Sequence, residues 1–368
     1  MQVSVISDRD GLLSAAGEWT SLLEKSSGCA VSLTPEWTAA WWDNFGADNR
    51  MHLVVVRHGG ALVGVAPMME AAASYRGVHI RKITMMANGH SPVVEFVTDR
   101  AMDAEVQNAI LSHLEALPGI DMIELPHLND NGSACAPVLD YIKERGLRYG
   151  IKRGLESPYI PIDTDWETFF RSKHQKFRKA IRHKLNRAAK CGGVSVAKAT
   201  IMGAADHAVE EMFSISGKSW KKKAGTDLLS DGNASGFYRS LCDALGPKGL
   251  ISIWLLRKDS VPIAFEFHIT HNGVVYPLRA DYDESYADIS PGSVLEYSIA
   301  KSLFEEARAR EYYSCGHTYM YLLNWSKLTR KHVTIEIFSG NIRSTTLHII
   351  EYKIIPCLRR LGMNKVLS

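Results

Sequence analysis

The apolar and polar positions between residues 250 and 304 follow the order strand, turn, strand, turn, strand, loop and helix. Residues 251–256 form a largely apolar run rich in strand formers, whereas residues 261–270 alternate between apolar and polar, the period of a strand with two different faces. Asn272-Gly273 then predicts a type I′ hairpin, because both turn positions need a positive φ. Residues 274–281 return as the third strand of the predicted sheet.

The hairpin predicts a register if its loop consists of those two residues alone. His271 then pairs with Val274, and counting outward places Glu266 opposite Arg279. The sheet is therefore predicted to have one apolar face and one face with four polar side chains, Glu266, His268, Arg279 and Asp281.

The loop after the third strand ends in a helix start. Ser290 can cap this helix, and Pro291 suits its first position. The first-turn amides of a helix have no partner within the helix and point outward, where they can bind an anion. We therefore predict that Ser290, Pro291, Gly292 and Ser293 hold a phosphate-bearing cofactor.

The first half of the chain repeats this organisation. A hairpin at residues 52–57 and 61–70 is again followed by a strand, a helix and another strand. The sequence thus predicts an α/β (α+β) chain of tandem units, each a mixed, mostly antiparallel sheet flanked by helices. The predicted boundaries are 1–160, 161–345 and a helical tail at 346–368.

A strongly basic helix is predicted at residues 171–190, which hold nine Lys or Arg. Phe177, Ile181 and Leu185 recur every fourth residue, so one side packs and the other presents cations. No Asp or Glu occurs from residue 168 to residue 205. Two interpretations remain open: the cations, Arg178 and Arg182 among them, bind the phosphates of a nucleotide cofactor or an RNA, or they form a solvated face.

Charge, cysteine spacing and apolar run length exclude several classes of protein. The net charge of +3 is too small to name a partner, and six scattered cysteines without a C-x-x-C pair indicate neither a zinc site nor a disulfide framework. The N-terminal residues lack the pattern of a signal peptide, and no apolar run is long enough to span a membrane. We expect a cytoplasmic protein without a metal, and the oligomeric state is not defined by the sequence.

Three blocks resemble a known family: TPEWTAAWW, HQKFRKAIRHKLNRAAKCGGV, and the stretch from PIAFEFHI to ADISPGSVLEYSIAKSLFEEA. In this order they resemble the GNAT-type acyltransferase domain of the CelD-like proteins, which are related to the FemABX peptidyltransferases. The resemblance extends over about residues 30–340. It implies GNAT-like units and transfer of an acyl group from acyl-CoA, acetyl-CoA or longer, to an amine or hydroxyl of a small molecule or saccharide.

The same resemblance leaves two alternatives open. One is FemABX-like transfer of an aminoacyl group from tRNA, and the other is a binding protein without catalysis. The cofactor loop of GNAT proteins, Arg/Gln-x-x-Gly-x-Gly/Ala, is altered here around Pro291 and Gly292. Relatives often carry a Tyr-Lys pair where this chain has Tyr321 and Leu322, which implies a changed substrate or a lost reaction.

Acyl transfer needs bound donor phosphates, a polarised carbonyl and a base for the acceptor. Arg279 is also predicted to bind the donor. Glu266 and His268 can act as base directly or through a water, although Glu266 can equally form a cross-strand ion pair with Arg279. The full set of candidate catalytic residues is Glu266, His268, Asp281, His317 and Tyr321.

Overall fold

The computed structural model describes residues 1–28, 30–130, 132, 135–314 and 321–361. The chain divides into two compact units. The first contains Met1–Trp42, Gly46–Leu155 and the chain from Lys331 onward, and the second contains Asp43–Phe45 and Glu156–Arg330. The chain thus leaves the first unit after Leu155 and returns to it at Lys331. The boundaries at residues 160 and 345 stay predictions.

The first unit is built around a mixed sheet, in which neighbouring strands are antiparallel except for one parallel pair. The parallel pair is β4 with β6, and the short β5 pairs with β3. In order, its elements are β1 Gln2–Ile6, α1 Arg9–Lys25, α2 Pro35–Phe45, β2 Arg50–His58, β3 Ala61–Tyr75, β4 Val78–Met85, β5 Val97–Thr98, α3 Asp103–Glu115, β6 Met122–Asn129, α4 Cys135–Glu144 and β7 Arg148–Pro161, the last of which continues into the second unit.

Side chains of α3 and α4 pack with those of the sheet into the core of this unit. Val106, Ile110 and Leu114 recur at helical spacing on α3 and are all but inaccessible to water. Burying a side chain of this size contributes about 1.5–3 kcal/mol, so the apolar stripe orients the helix on the sheet.

The second unit repeats the same plan. Its sheet has the order β7, β12, β11, β10, β9, β8, and only β11 with β12 is parallel. The elements from α5 to the C-terminus are α5 Trp166–Ser172, α6 Gln175–Lys190, β8 Val194–Thr200, α7 His207–Ser216, α8 Gly232–Leu245, β9 Ile251–Lys258, β10 Val261–His271, β11 Val274–Tyr282, α9 Pro291–Glu306, β12 Glu311–Tyr313, β13 Thr329–Phe338, α10 Ile342–Ile349 and α11 Ile355–Arg360, of which the last three belong wholly or largely to the first unit.

The predicted fold class is therefore confirmed. In the first unit, β4 is antiparallel to β3 and parallel to β6, and α3 lies between β4 and β6 in the sequence. In the second unit, β11 is antiparallel to β10 and parallel to β12, and α9 lies between β11 and β12 in the sequence. Helices and a mostly antiparallel sheet form both cores. Within the described parts of the chain, none of the helices has the length and apolarity needed to cross a membrane.

The register of β10 and β11 differs from the predicted one beyond the hairpin. His271 pairs with Val274 as expected, but His268 pairs with Pro277 while Phe267 pairs with Arg279, so Leu278 is an extra residue. Pro277 has no amide hydrogen to donate to the ladder, and a β-bulge is a usual way to accommodate such a break.

This bulge changes which side chains share a face. Glu266 lies opposite Ala280, so the predicted pairing of Glu266 with Arg279 is wrong. Arg279 and Asp281 lie opposite Phe267 and Phe265, on the other face of the sheet from Glu266 and His268. The four polar residues therefore do not form a single polar face.

Candidate active site

A cleft opens where β11 and β12 separate. The two strands pair only at Val274 with Glu311 and at Val275 with Tyr312, and β12 ends one residue later. β11 continues to Tyr282, so its edge lies along a cleft of about 430 Å³. Among the residues that line it are Lys184, Lys221, Glu266, Arg279, Ala280, Asp281, Tyr282, Ser290, Pro291, Gly292, Ser293, Glu296, Tyr321 and Leu322.

One end of this cleft is the N-terminus of α9. Ser290 precedes the helix with a φ of 54°, and its side chain makes no capping hydrogen bond. Instead, Arg187 Nη2 donates to Ser290 Oγ at 3.0 Å, and Lys184 Nζ donates to Ser293 Oγ at 2.8 Å. Two cations of α6 thus lie at the positive end of the α9 dipole, an arrangement that favours an anion.

The two arginines predicted to bind the donor, Arg178 and Arg182, contact residues that precede α6. Arg178 Nε donates to the carbonyl of Lys173 at 3.1 Å, and the Arg182 guanidinium lies 5.8 Å from the Phe170 ring centre. Lys184 and Arg187 were missed, because helical spacing alone does not tell which turn of a basic helix meets another element.

Glu266, His268 and Tyr312 form a buried polar group, of which Glu266 lines the cleft. The hydroxyl of Tyr312 donates to Glu266 Oε1, and His268 Nε2 lies 3.0 Å from the same oxygen. All three side chains are less than 10 % exposed. Burial, and then the negative charge of Glu266, raise the pKa of Tyr312 well above its usual value, so it remains a hydrogen-bond donor.

Asp281 is held by a different set of partners on the other face. Its carboxylate lies 2.5 Å from Lys221 Nζ and 2.9 Å from Arg279 Nε, and Ser216 Oγ donates to it at 2.9 Å. Arg279 also donates to the carbonyl of Thr226 at 2.8 Å. Burial lowers the pKa of Lys221, while the charge of Asp281 opposes that shift. The geometry makes Asp281 the centre of an ionic cluster that fixes Lys221 and Arg279 at the cleft wall.

Glu296 on α9 is the functional candidate that the sequence analysis missed. It lines the same cleft, its Oε1 is inaccessible to water, and the side chain of Trp325 is its hydrogen-bonding neighbour. Burial and then the charge of Glu266 raise the pKa of Glu296 to about 8. Its position three residues before Ile299 and seven before Leu303 places it on the apolar stripe of the helix, which is the signal that could have found it.

The remaining candidates lie on the segment after β12. Tyr321 is 45 % exposed and lines the cleft beside Leu322. His317 lies outside the described residues. Within the part of the chain that the structure describes, no group of three or more His, Cys, Asp or Glu is placed to hold a metal ion.

Residues 175–321 match the family model described as an acetyltransferase (GNAT) domain. This segment runs from α6 to Tyr321 and therefore includes Lys184, Arg187, Lys221, Glu266, Arg279, Asp281 and Glu296. Comparison with curated protein sequences gives no match.

Solved structures share the fold over nearly the whole chain. FemX is 13 % identical, with a TM-score of 0.58, covering 95 % of this chain and 100 % of its own. L-PGS from Bacillus licheniformis is 10 % identical, with a TM-score of 0.56 and coverages of 91 % and 94 %. The C-terminal domain of a protein assigned as a lysylphosphatidylglycerol synthetase from Agrobacterium fabrum is 11 % identical, with a TM-score of 0.55 and coverages of 92 % and 97 %. The chain thus has the fold of these proteins, and the family match of residues 175–321 supports a transferase of acyl groups.

Proposed function

We propose that the second unit transfers an acyl group from acyl-CoA, acetyl-CoA or a longer thioester, to an amine or hydroxyl of a small molecule or saccharide. The observation that carries this proposal is the cleft along the edge of β11, which ends at the N-terminus of α9. A thioester carrier of this kind needs an anion site for its phosphates and a narrow slot for its extended arm. Lys184 and Arg187 at Ser293 and Ser290 support the first, and the course of the cleft along β11 supports the second.

The donor phosphates would bind at residues 290–293. Pro291 has no amide hydrogen and the Ser293 amide donates to the Ser290 carbonyl, so Gly292 has the first-turn amide that can meet a phosphate. Lys184 and Arg187 add two positive charges. The thioester carbonyl would lie against the edge of β11 beyond Val275, where a backbone amide can donate to the developing oxyanion. The reaction proposed needs no metal.

The acceptor would enter at the wall formed by Lys221, Arg279 and Tyr321. Glu266 or His268 would act as the base, directly or through a water, and Asp281 would hold the two cations in place. Tyr321 and His317 stay predicted contacts of the substrate. The finer resemblance to the CelD-like proteins rests on three sequence blocks, and it too stays a prediction, as does a cytoplasmic location.

A second candidate function is transfer of an aminoacyl group from tRNA. The observation in its favour is that α6 exposes cations that do not line the cleft: Lys176, Lys179, Arg182 and Lys190. A row of such side chains can bind a nucleic-acid backbone. The fold shared with FemX over the whole chain agrees with this alternative.

The test is a comparison of melting temperatures with CoA, acetyl-CoA, a long-chain acyl-CoA and tRNA, since a ligand that binds only the folded state raises the melting temperature. We expect acetyl-CoA or a longer acyl-CoA to raise it. Lys184→Ala combined with Arg187→Ala should abolish that rise, and Lys179→Ala, on the exposed side of the same helix, should preserve it.

The other outcomes separate the alternatives. A rise with tRNA alone, lost after Lys179→Ala, would favour aminoacyl transfer. No rise with any of these carriers would contradict both transferase proposals and leave the binding-protein interpretation.

A further inference from the structure

We propose that the helical segment at residues 342–361 docks on an anionic lipid surface. This segment belongs to the first unit, and none of its residues lines the cleft described above. The inference goes beyond the proposed function, because it concerns where the protein binds and not what it transfers. The docking is peripheral: the segment lies along the lipid headgroups and does not cross the bilayer.

Exposed apolar side chains are concentrated on this segment. Of the sixteen large apolar side chains that are exposed in the described residues, four belong to it: Ile342, Ile349, Ile354 and Leu361. Ile342 is 88 % exposed, and Leu361 is 68 % exposed. Single apolar residues scattered over a surface are ordinary, whereas several on one element mark a contact surface.

The backbone of the segment brings these side chains to one side. Ile342 and Ile349 are seven residues apart on α10, which is about two α-helical turns. A π turn at Ile350–Ile354 follows, and it holds one residue more than an α-helical turn. The helix therefore rotates less between Ile349 and Leu361, so that both keep the same side. Leu347 and Ile355 are buried, so the other side of the segment is the one that packs on the protein.

Basic residues accompany the apolar side. Lys353, Arg359 and Arg360 are exposed, and Arg343 retains 58 % exposure of its side chain while it reaches Asp121 at 3.3 Å. Residues 342–361 contain one acid, Glu351, which pairs with Arg76 at 2.6 Å. Aliphatic side chains next to cations are the combination with which a helix binds anionic lipid.

A lipid surface fits these features better than a protein partner does. In a symmetric dimer the same patch of both copies would meet, and the cations of one copy would face those of the other. The exposed apolar side chains are aliphatic, whereas protein interfaces depend largely on Trp, Tyr and Arg anchors. Isoleucine and leucine can enter the acyl region, while Lys and Arg reach the headgroup phosphates along their apolar stems.

The test is cosedimentation of the full chain with two kinds of vesicle, phosphatidylcholine alone and phosphatidylcholine mixed with phosphatidylglycerol. We expect the chain to bind the mixed vesicles at least tenfold more tightly. High salt should weaken this binding, because it screens the attraction between the cations and the lipid phosphates. No binding to the mixed vesicles, or equal binding to both kinds, would overturn the inference.

A first pair of variants tests the apolar side chains. Ile349→Gln combined with Leu361→Gln should weaken binding to the mixed vesicles at least tenfold. Both side chains are exposed, so the melting temperature should not change. Met202→Gln combined with Leu229→Gln is the matched control, since these two side chains are each 59 % exposed in the second unit. Unchanged binding in the first variant, or an equal loss in both, would contradict the proposal.

A second pair of variants tests the charges. Arg359→Gln combined with Arg360→Gln should weaken binding to the mixed vesicles and reduce its dependence on salt. Lys176→Gln combined with Lys179→Gln removes two exposed cations from α6 and should leave this binding unchanged. A loss in the α6 variant alone would assign the lipid surface to α6 and refute the proposal.

Sedimentation velocity without vesicles tests for a second copy as the occupant. A dimer that Ile349→Gln combined with Leu361→Gln dissociates would show that the patch binds another chain, and would overturn the lipid proposal. The same variant should bind CoA as the natural chain does, because it alters no residue of the cleft. The lipid proposal and the proposed transferase function can therefore fail separately.

Discussion

The hydroxyl of Tyr312 on β12 donates a hydrogen bond to the carboxylate of Glu266 on β10, past the strand β11 that lies between them in the sheet. Both residues are less than 10 % exposed. The bond therefore ties the two sides of β11 together just where β12 stops pairing and the cleft begins. It also occupies one oxygen of an acid that the sequence suggested as a base.

Tyr312→Phe should destabilise the second unit by about 2 kcal/mol, because it leaves a buried carboxylate without its neutral donor. Urea unfolding monitored by tryptophan fluorescence measures the change. Tyr286→Phe, which alters a partly buried tyrosine outside this network, is the control and should change stability little. Equal effects of the two substitutions would show that the hydrogen bond contributes nothing.

Lys221→Met should cost about 3 kcal/mol, since it removes one of two cations from a carboxylate whose side chain is fully inaccessible to water. Lys222→Met, at the neighbouring exposed lysine, should cost almost nothing. Combining Lys221→Met with Asp281→Asn should cost less than the sum of the single changes, because the unpaired charge is then gone. Additive costs in this cycle of urea unfolding measurements would contradict the ionic cluster.

Stability should fall as pH rises from about 5 to about 8, in part because of Glu296. Its folded-state pKa of about 8 lies above the ordinary value of 4.5, so the folded chain retains a proton that the unfolded chain loses first. Each pKa unit corresponds to about 1.4 kcal/mol. The free energy of unfolding should therefore decline less steeply in Glu296→Gln than in the natural chain over this range, and parallel curves would exclude the raised pKa.

The sequence predicted the hairpin of β10 and β11 but not its full register. Asn272-Gly273 specifies a turn with two positive φ values, and the structure has them at 48° and 74°. The bulge at Leu278 could not be placed from this pattern. Pro277 has no amide hydrogen for the ladder, but which residue is extra depends on packing against both neighbouring strands.

The contacts within the site also depend on tertiary packing that a local sequence pattern does not contain. The basic residues 171–190 predicted a cationic helix, and Pro291-Gly292 predicted a helix N-terminus. The contact of the two helices at Ser290 and Ser293 is a tertiary contact, which the sequence pattern does not contain. The position of Glu296 on the apolar stripe of α9 indicated that it faces the sheet. Which side chains surround it there follows from tertiary packing, which no local pattern contains.

Ser293→Asp separates the stability of α9 from its proposed role. A carboxylate in the first turn suits the helix dipole and lies next to Lys184, so we expect an unchanged or slightly higher melting temperature. The same charge repels a phosphate, so donor binding should weaken at least tenfold. Ser302→Asp, near the other end of the helix, is the matched control.

The most direct measurement is therefore calorimetric titration of CoA into the natural chain, Ser293→Asp and Ser302→Asp. If residues 290–293 bind the phosphates, we expect one CoA per chain for the natural sequence and Ser302→Asp. The affinity should be at least tenfold weaker for Ser293→Asp, at an unchanged melting temperature. Absence of CoA binding to the natural chain, or equal affinity in all three, would contradict it.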